Sequence, residues 1–366
     1  MEYPVETFTP AERERLRQHF TNLDQPVFAL VNLPETVKGA LFARYSRYQG
    51  TLRRLFLDEF ADSLPDDAAA YDNEEGAKAA DFYERIFVGY GDDSIAQLGG
   101  AHVACEWVSN VLTKVLQRPR LGAYLEQSTR YIAYDAPIEG SDRYRYHRDP
   151  ALGPEYERAM DEIFDVYSSA IPRVSAWAAQ RYPAGERESP RAHQRAIKAK
   201  ALDLLRGLLP AASLSHMGIF ATGQTYEQLI LHLLAHPLPE ARHYGSMILE
   251  SVQAVMPSFV SRVQRPERGG EWVSYLKRRE QAGERWAARL GLDRRPGDDG
   301  AGGPSIRLTH HDGDEDLLLA ALLFESTGAD EQTTRAALAT LDPHERAELL
   351  RDLTGERANR RHRPGR

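Results

Sequence analysis

The chain has 366 residues, a formal net charge of −8, and 42% hydrophobic and 27% charged residues, which fits a globular protein of one large or two ordinary domains with a sizeable core. No apolar run approaches the roughly 20 residues of a membrane span, and the first residues lack the charged-then-apolar layout of a secretion signal. No basic stripe covers the main body, so the expectation is a cytoplasmic protein with neither nucleic acid nor membrane as partner.

In chain order, Thr9, Pro10 and Glu12 form a capping box with proline at the first helical position. QPVFALVNL (25–33) is a short apolar run bounded by turn formers and predicts an extended segment. Over 36–62 the spacing of Val37, Ala40, Leu41, Tyr45, Leu52, Leu55 and Phe56 predicts helix. An acidic loop, PDDAAAYDNEEG, precedes a second helix at about 75–88. The strongest helix of the first half is expected from Ser94 to about Gln117, capped by Asp92 or Asp93 and ended by Pro119. Its first half carries Gly99, Gly100, Ala101 and Ala104, small enough to admit another backbone or a flat ligand. Cys105 is the single cysteine. It excludes an internal disulfide or a cysteine-based zinc site and, in its apolar setting, reads as core filler.

STRYIAYD (128–135) is β-prone and predicts a strand. After a polar connection come two helices, about 154–182 and 188–208, split by RYPAGERESP. SHMGIFAT suits a strand, and YEQLILHLLAH and PEARHYGSMILESVQAVMPSFVSRV are helical. Residues 293–315 form a glycine- and charge-rich linker. Beyond it, Asp342, Pro343 and Glu345 start the last helix of a small helical piece. The expected fold class is α/β, helix-rich α+β, with a central sheet holding the 128–135 strand and a long 94–117 helix. The expected domains are a helical extension (1–84), a core (85–270), a helix plus flexible linker (271–315) and a C-terminal helical segment (316–366).

Two patterns are read down. THHDGDED (309–316) offers His310, His311, Asp312 and Asp314, yet adjacent histidines in a linker are ordinarily solvated, and no metal is expected. GAGG (300–303) lacks the flanking strand and helix of a dinucleotide fingerprint.

The stretch with most chemistry is QRPRLGAYLEQSTRYIAY (117–134). Arg118 and Arg120 flank a proline at the expected helix end, and an arginine fork suits phosphate or a developing enolate oxygen. Ser128 and Arg130 alternate with Thr129, so on a strand both point to one face. Glu126 can hold an arginine or accept from a ring N–H. Together they suit an anionic, planar, phosphorylated ligand; a surface charge cluster has the same composition.

The spacing resembles the signature of the flavin-dependent thymidylate synthases: Arg-His-Arg, seven residues, Ser, then x-Arg-Tyr. Here it reads Arg118-Pro119-Arg120, then Ser128, Arg130 and Tyr131. GDDSIAQL stands where that family has Gly-His-x-Ser, retaining Gly91 and Ser94 with Asp92 for the histidine. Ser109 stands nine residues before Arg118, as in the family. LLRGLLP resembles Ala-Arg-x-x-Leu-Pro through Arg206 and Pro210. TGQTYEQL corresponds to Thr-x-Asn-x-Arg, with Gln224 for the asparagine and Tyr226 for the arginine. His236 falls roughly where a later arginine is expected. The resemblance covers about residues 85–262 and is similar to the longer actinobacterial-type members, which include uridylate C5-methylases of nucleoside-antibiotic pathways. The basic C-terminus, NRRHRPGR, resembles the point at which longer relatives continue into a second half.

The resemblance implies FAD as cofactor, UMP or dUMP as substrate, methylenetetrahydrofolate as carbon donor, NADPH as reductant, and a homotetramer with sites between subunits. It implies that Arg118 is catalytic, a fixed cation near uracil O4 that also touches the flavin, and that Arg120 faces the flavin. Ser128 and Arg130 would hold the nucleotide phosphate, Arg206 would be a second clamp from another subunit, and Glu126 would set orientation. Ser94, Gln224 and His236 complete the cofactor side. The replacements at Asp92, Pro119 and Tyr226 motivate a second reading, a nucleotide- or flavin-binding homologue that kept the fold and lost turnover.

Overall fold

Strands β1 (Val27–Leu30), β2 (Gly100–Ser109), β3 (Gly122–Glu126) and β4 (Leu214–Thr222) form an antiparallel sheet in the order β1-β2-β4-β3. The computed structural model describes residues 3–4, 6–33, 35–63, 96–97, 99–138, 141, 143–292, 306 and 308–356. It divides into two units, Met1–Leu292 and Asp293–Arg366. The expected segments at 64–95, including Ser94, the acidic loop and the 75–88 helix, lie outside the described residues, as do GAGG and the C-terminal basic run.

Register places Val27 opposite Cys105, and Cys105 and Glu126 opposite Met217. This corrects the expected 94–117 helix: residues 100–109 are strand, and the helix α4 spans only Asn110–Leu116. The physical reason is burial on both faces. Val103 and Cys105 join one core cluster while Ala104, between them, joins the other, so the strand's apolar residues fall on both faces and it lacks the alternation of a half-buried one. Cys105 is fully buried core, as its setting predicts, though on a strand. The space beside Gly99 belongs to the core: a Cβ there would lie 2.2 Å from the Phe259 ring.

The Cys105–Met217 face is covered by α7 (Gly223–Ala235), α8 (Pro239–Gln253) and α9 (Pro257–Val260). The opposite face is covered by α1 (Pro10–Arg17), α2 (Glu35–Tyr45) and α3 (Leu52–Leu55). The Thr9 capping box forms as expected, and Val27–Leu30 is the expected extended segment. The helical hairpin α5 (Gly153–Arg181) and α6 (Pro190–Leu205) builds a third cluster with Ile132 and Tyr134. That packing replaces the expected 128–135 strand. Tyr131 and Ile132 N–H both donate to Ser128 O at 3.1 Å, making a turn from which Ile132 and Tyr134 are buried against helices rather than a neighbouring strand. Helix α10 (Glu271–Arg289) follows.

β2 carries a bulge at which Glu106 and Trp107 oppose His216 alone. Trp107 adopts φ +57°, costly for a bulky side chain. The residues around it hold the conformation. Trp107 N–H donates to His216 Nδ1 at 3.1 Å, and the His216 ring stacks on Tyr45 at 5.6 Å. Glu106, 1% exposed, accepts from Tyr45 OH, Leu52 N–H and Arg53 Nη2 at 3.1, 2.8 and 3.2 Å. Burial raises the Glu106 pKa, and the Arg53 cation opposes that rise.

In the second unit, α11 (Glu315–Leu323), α12 (Glu331–Leu338) and α13 (Pro343–Thr354) bury Leu319, Ala320 and Leu338. The Asp342–Glu345 capping box starts α13 as predicted. Asp314 caps α11 and pairs with Arg335 at 2.8 Å, while His310, His311 and Asp312 are exposed. Among the described residues no helix is long and apolar enough to cross a membrane, and no group of three or more His, Cys, Asp or Glu is placed to hold a metal ion.

Candidate functional site: two clefts flanking one short helix

Ser109 caps α4 by accepting from Leu112 N–H at 3.0 Å, and its own N–H and Oγ–H donate to the buried Glu240 carboxylate at 2.8 and 2.5 Å. The helix that ends in the Arg118–Arg120 turn is therefore fixed at its start. The turn itself is held by two hydroxyls: Tyr124 OH donates to Pro119 O at 2.8 Å, and Thr225 Oγ1 donates to Leu121 O at 3.0 Å. Pro119 supplies a rigid φ and needs no backbone donor there.

Arg118 and Pro119 line a cleft of about 520 Å³ with His236, between the end of α4, α7 and α10. Its wall is apolar (Val115, Leu229, Leu233, Leu276) and its polar groups include Arg118, Arg279 and Glu280. His236 Nδ1 accepts from Leu238 N–H at 3.1 Å. Burial lowers the His236 pKa, the Arg118 and Arg242 cations add to that, and Glu280 opposes it. The ring is therefore neutral near neutral pH.

A second cleft, also about 520 Å³, gathers Glu126, Ser128 and Arg206. Glu126 accepts from Lys114 Nζ at 2.9 Å, Gln117 Nε2 at 2.7 Å and Thr113 Oγ1 at 3.2 Å, so α4 fixes its carboxylate. Ser128 Oγ accepts from Arg130 N–H at 3.4 Å. Arg130 Nε and Arg206 Nη2 lie 3.5 and 3.1 Å from Asp203 Oδ1, without hydrogen-bond alignment. Behind the wall, buried Arg145 donates through Nη2 to Gln127 Oε1 at 2.9 Å and lies over the Tyr134 ring at 4.4 Å. Burial, with Arg145 and Arg53 adding to it, holds the His216 pKa well below its ordinary value.

The structure thus brings Glu126, Ser128 and Arg206 together, with Arg130 tied to them through Asp203. It puts Arg118 with His236 in the other cleft. Arg120 is exposed and lines neither of these clefts. Gln224 sits in the first turn of α7, where its Oε1 accepts from Gln97 Nε2 at 2.7 Å, and it too lines neither. Tyr226 is fully buried, its hydroxyl 3.2 Å from Ala101 O and 3.1 Å from Ile219 O. Sequence reasoning missed Lys114, Asp203, Ser213 and Ser215. Helical spacing held a signal for Asp203, three residues before Arg206, and for Lys114, three before Gln117.

Residues 48–258 match the family described as thymidylate synthase complementing protein. The chain belongs to that family. It is 42% identical over 301 residues to a UPF0159 protein of Chlamydia muridarum, covering 79% of this chain and 56% of that one. It is 38% identical over 368 aligned positions to a UPF0159 protein of Chlamydia pneumoniae, covering 98% and 68%. The chain thus spans 56% and 68% of the lengths of those two relatives. The flavin-dependent thymidylate synthase of Helicobacter pylori, solved with FAD and dUMP, is 12% identical, covers 50% of this chain and 81% of its own, and gives a TM-score of 0.33. The UMP/dUMP methylase PolB of Streptomyces cacaoi, solved with 5-Br dUMP, is 15% identical, covers 53% and 83%, and gives 0.35. Likeness at that level is too weak to bear functional weight. Family membership rests on the sequence match, and it bears out the resemblance carried by Arg118, Ser128 and Arg130.

Proposed function

We propose that this protein methylates C5 of a uridine monophosphate, UMP or dUMP, taking the carbon from methylenetetrahydrofolate, with FAD reduced by NADPH. The observation that carries the reading is the second cleft, where Ser128 and Arg206 meet Glu126, and Asp203 draws Arg130 beside them. Two forked cations, a lysine and several hydroxyls suit a phosphate with a polar sugar.

The residues present also fit a flavin. The apolar wall of the first cleft suits a flat ring system, and Arg118 and Arg279 suit its charged portion. Arg118 and His236 would hold it there, with Arg120 and Gln224 as outer contacts. When bound, FAD supplies the hydride that reduces the transferred carbon. The protein's own part is position and field. A fixed Arg118 cation beside uracil O4 would stabilise the enolate form from which C5 attacks the donor, an effect worth about 3–4 kcal/mol. A protein nucleophile at C6 has no candidate in Cys105. That thiol is fully buried in β2, and burial pushes its pKa far up.

Arg118 and Ser128 line different clefts of one chain, which supports a homotetramer in which one copy's first cleft meets another's second. The purified protein is expected to be yellow and to turn over UMP or dUMP with methylenetetrahydrofolate and NADPH. Arg118→Ala and Ser128→Ala are each expected to be nearly inactive, and mixing the two after subunit exchange should restore turnover. Yellow protein inert on both nucleotides would favour the non-catalytic binder. Two variants that stay inactive when mixed would overturn the shared site.

A further inference from the structure

Two hydroxyls in the second cleft have no hydrogen-bond partner although their residues are buried. Ser213 and Ser215 are each 4% exposed, each lines the cleft, and neither Oγ is bonded. Ser213 directly precedes β4 and bridges to Tyr146, and Ser215 is the strand's second residue, so the extended-chain period of two puts them on one face. The backbone around them is committed elsewhere. Ser213 N–H donates to Pro210 O at 2.9 Å, Ser213 O accepts from Asn110 N–H at 2.9 Å, and Ser215 pairs with Val108. Only the hydroxyls remain for a ligand. An unmet buried hydroxyl carries a desolvation cost that a bound group can relieve.

We propose that Ser213 and Ser215 bind the 2′-hydroxyl of the nucleotide's sugar and make the cleft favour a ribonucleotide over its 2′-deoxy analogue. The inference rests on the nucleotide reading of this cleft and names what the sequence signature leaves open. Charge separates the two ends of the ligand. The cations Lys114 and Arg206 suit a phosphate, which only accepts hydrogen bonds. A serine hydroxyl both donates and accepts, matching a sugar hydroxyl that does the same. A ligand lacking the 2′-hydroxyl leaves a buried serine unpaired, which turns a missing atom into discrimination.

The test titrates UMP and dUMP into full-length wild type, Ser213→Ala, Ser215→Ala and the double variant, with melting temperature as the control for folding. Removing an unbonded hydroxyl leaves the fold intact, and Ser215→Thr keeps the hydroxyl as a second check. The expected result is wild-type preference for UMP, reduced roughly tenfold in the alanine variants through weaker UMP binding alone, and retained in Ser215→Thr. Equal losses on both nucleotides, or no change on either, overturn the assignment while the nucleotide reading stands. Wild type that binds neither nucleotide overturns the reading of the cleft and this inference with it.

Discussion

Arg130 and Arg206 reach the same carboxylate oxygen: Asp203 Oδ1 lies 3.5 Å from Arg130 Nε and 3.1 Å from Arg206 Nη2. Two cations far apart in sequence are thereby held at one edge of a cleft by a single acidic residue. Both side chains are 50% exposed, so their attraction to Asp203 is screened and weak. A dianionic phosphate competes well for such a pair.

The first prediction follows from that competition. Arg130→Ala and Arg206→Ala should each weaken nucleotide binding by about 1.5 kcal/mol, the low end for a charged hydrogen bond because both sites are half exposed. Asp203→Asn should tighten binding by freeing both forks. Calorimetric titration at fixed salt reads all three, and arginine variants with wild-type affinity would remove these residues from the site.

Arg118 is predicted to matter for turnover rather than for cofactor retention. Arg118→Ala should lower kcat by about 100-fold or more, the usual loss when one preorganised donor is removed. Visible absorbance of the purified variant should still show most of the flavin, because the apolar wall of Val115, Leu229 and Leu233 remains. Wild-type kcat would end the proposed role.

Tyr226 stands where the family's motif has an arginine, and here its hydroxyl bridges the backbones of β2 and β4 from full burial. Tyr226→Phe should cost about 1 kcal/mol of stability, one net hydrogen bond. Tyr226→Arg should yield no soluble folded protein, because a guanidinium there would be buried without a counter-charge. Expression and thermal melts decide it; a folded, active arginine variant would contradict the core placement.

Stability should also fall in mild acid through His216. Its folded pKa is depressed by burial and by Arg145 and Arg53. Below the ordinary value of 6.5, the unfolded chain takes up a proton that the folded chain refuses. Unfolding free energy therefore drops as pH falls through that window. Glu106, its pKa raised by burial, works in the opposite sense above 4.5, so the histidine must be isolated by mutation. His216→Gln keeps an acceptor for Trp107 N–H and should flatten the melting temperature between pH 6.5 and about 5. A profile as steep as wild type would assign the acid sensitivity to other groups.

Element by element, legibility followed the kind of signal available. Capping boxes at Thr9–Glu12 and Asp342–Glu345 were readable because each is a local exchange of hydrogen bonds. The α5–α6 hairpin was readable from its periodicity and its proline- and glycine-rich break. Residues 100–109 read as helix because a strand buried on both faces lacks the two-residue alternation that would set it apart from a buried helix. The 128–135 segment was misread because β-branched and aromatic residues bury as well against helices as in a sheet.

By itself the sequence determined the family and nominated the side chains proposed for the chemistry: the spacing of Arg118, Arg120, Ser128, Arg130 and Arg206 is a one-dimensional pattern and needs no coordinates. Only the tertiary structure decided how they are grouped, with Arg118 beside His236 in one cleft and Ser128 beside Arg206 in another. It alone exposed Asp203, Ser213 and Ser215. Their proposed roles arise from which atoms lack a partner once the chain is packed, and that property exists only in three dimensions.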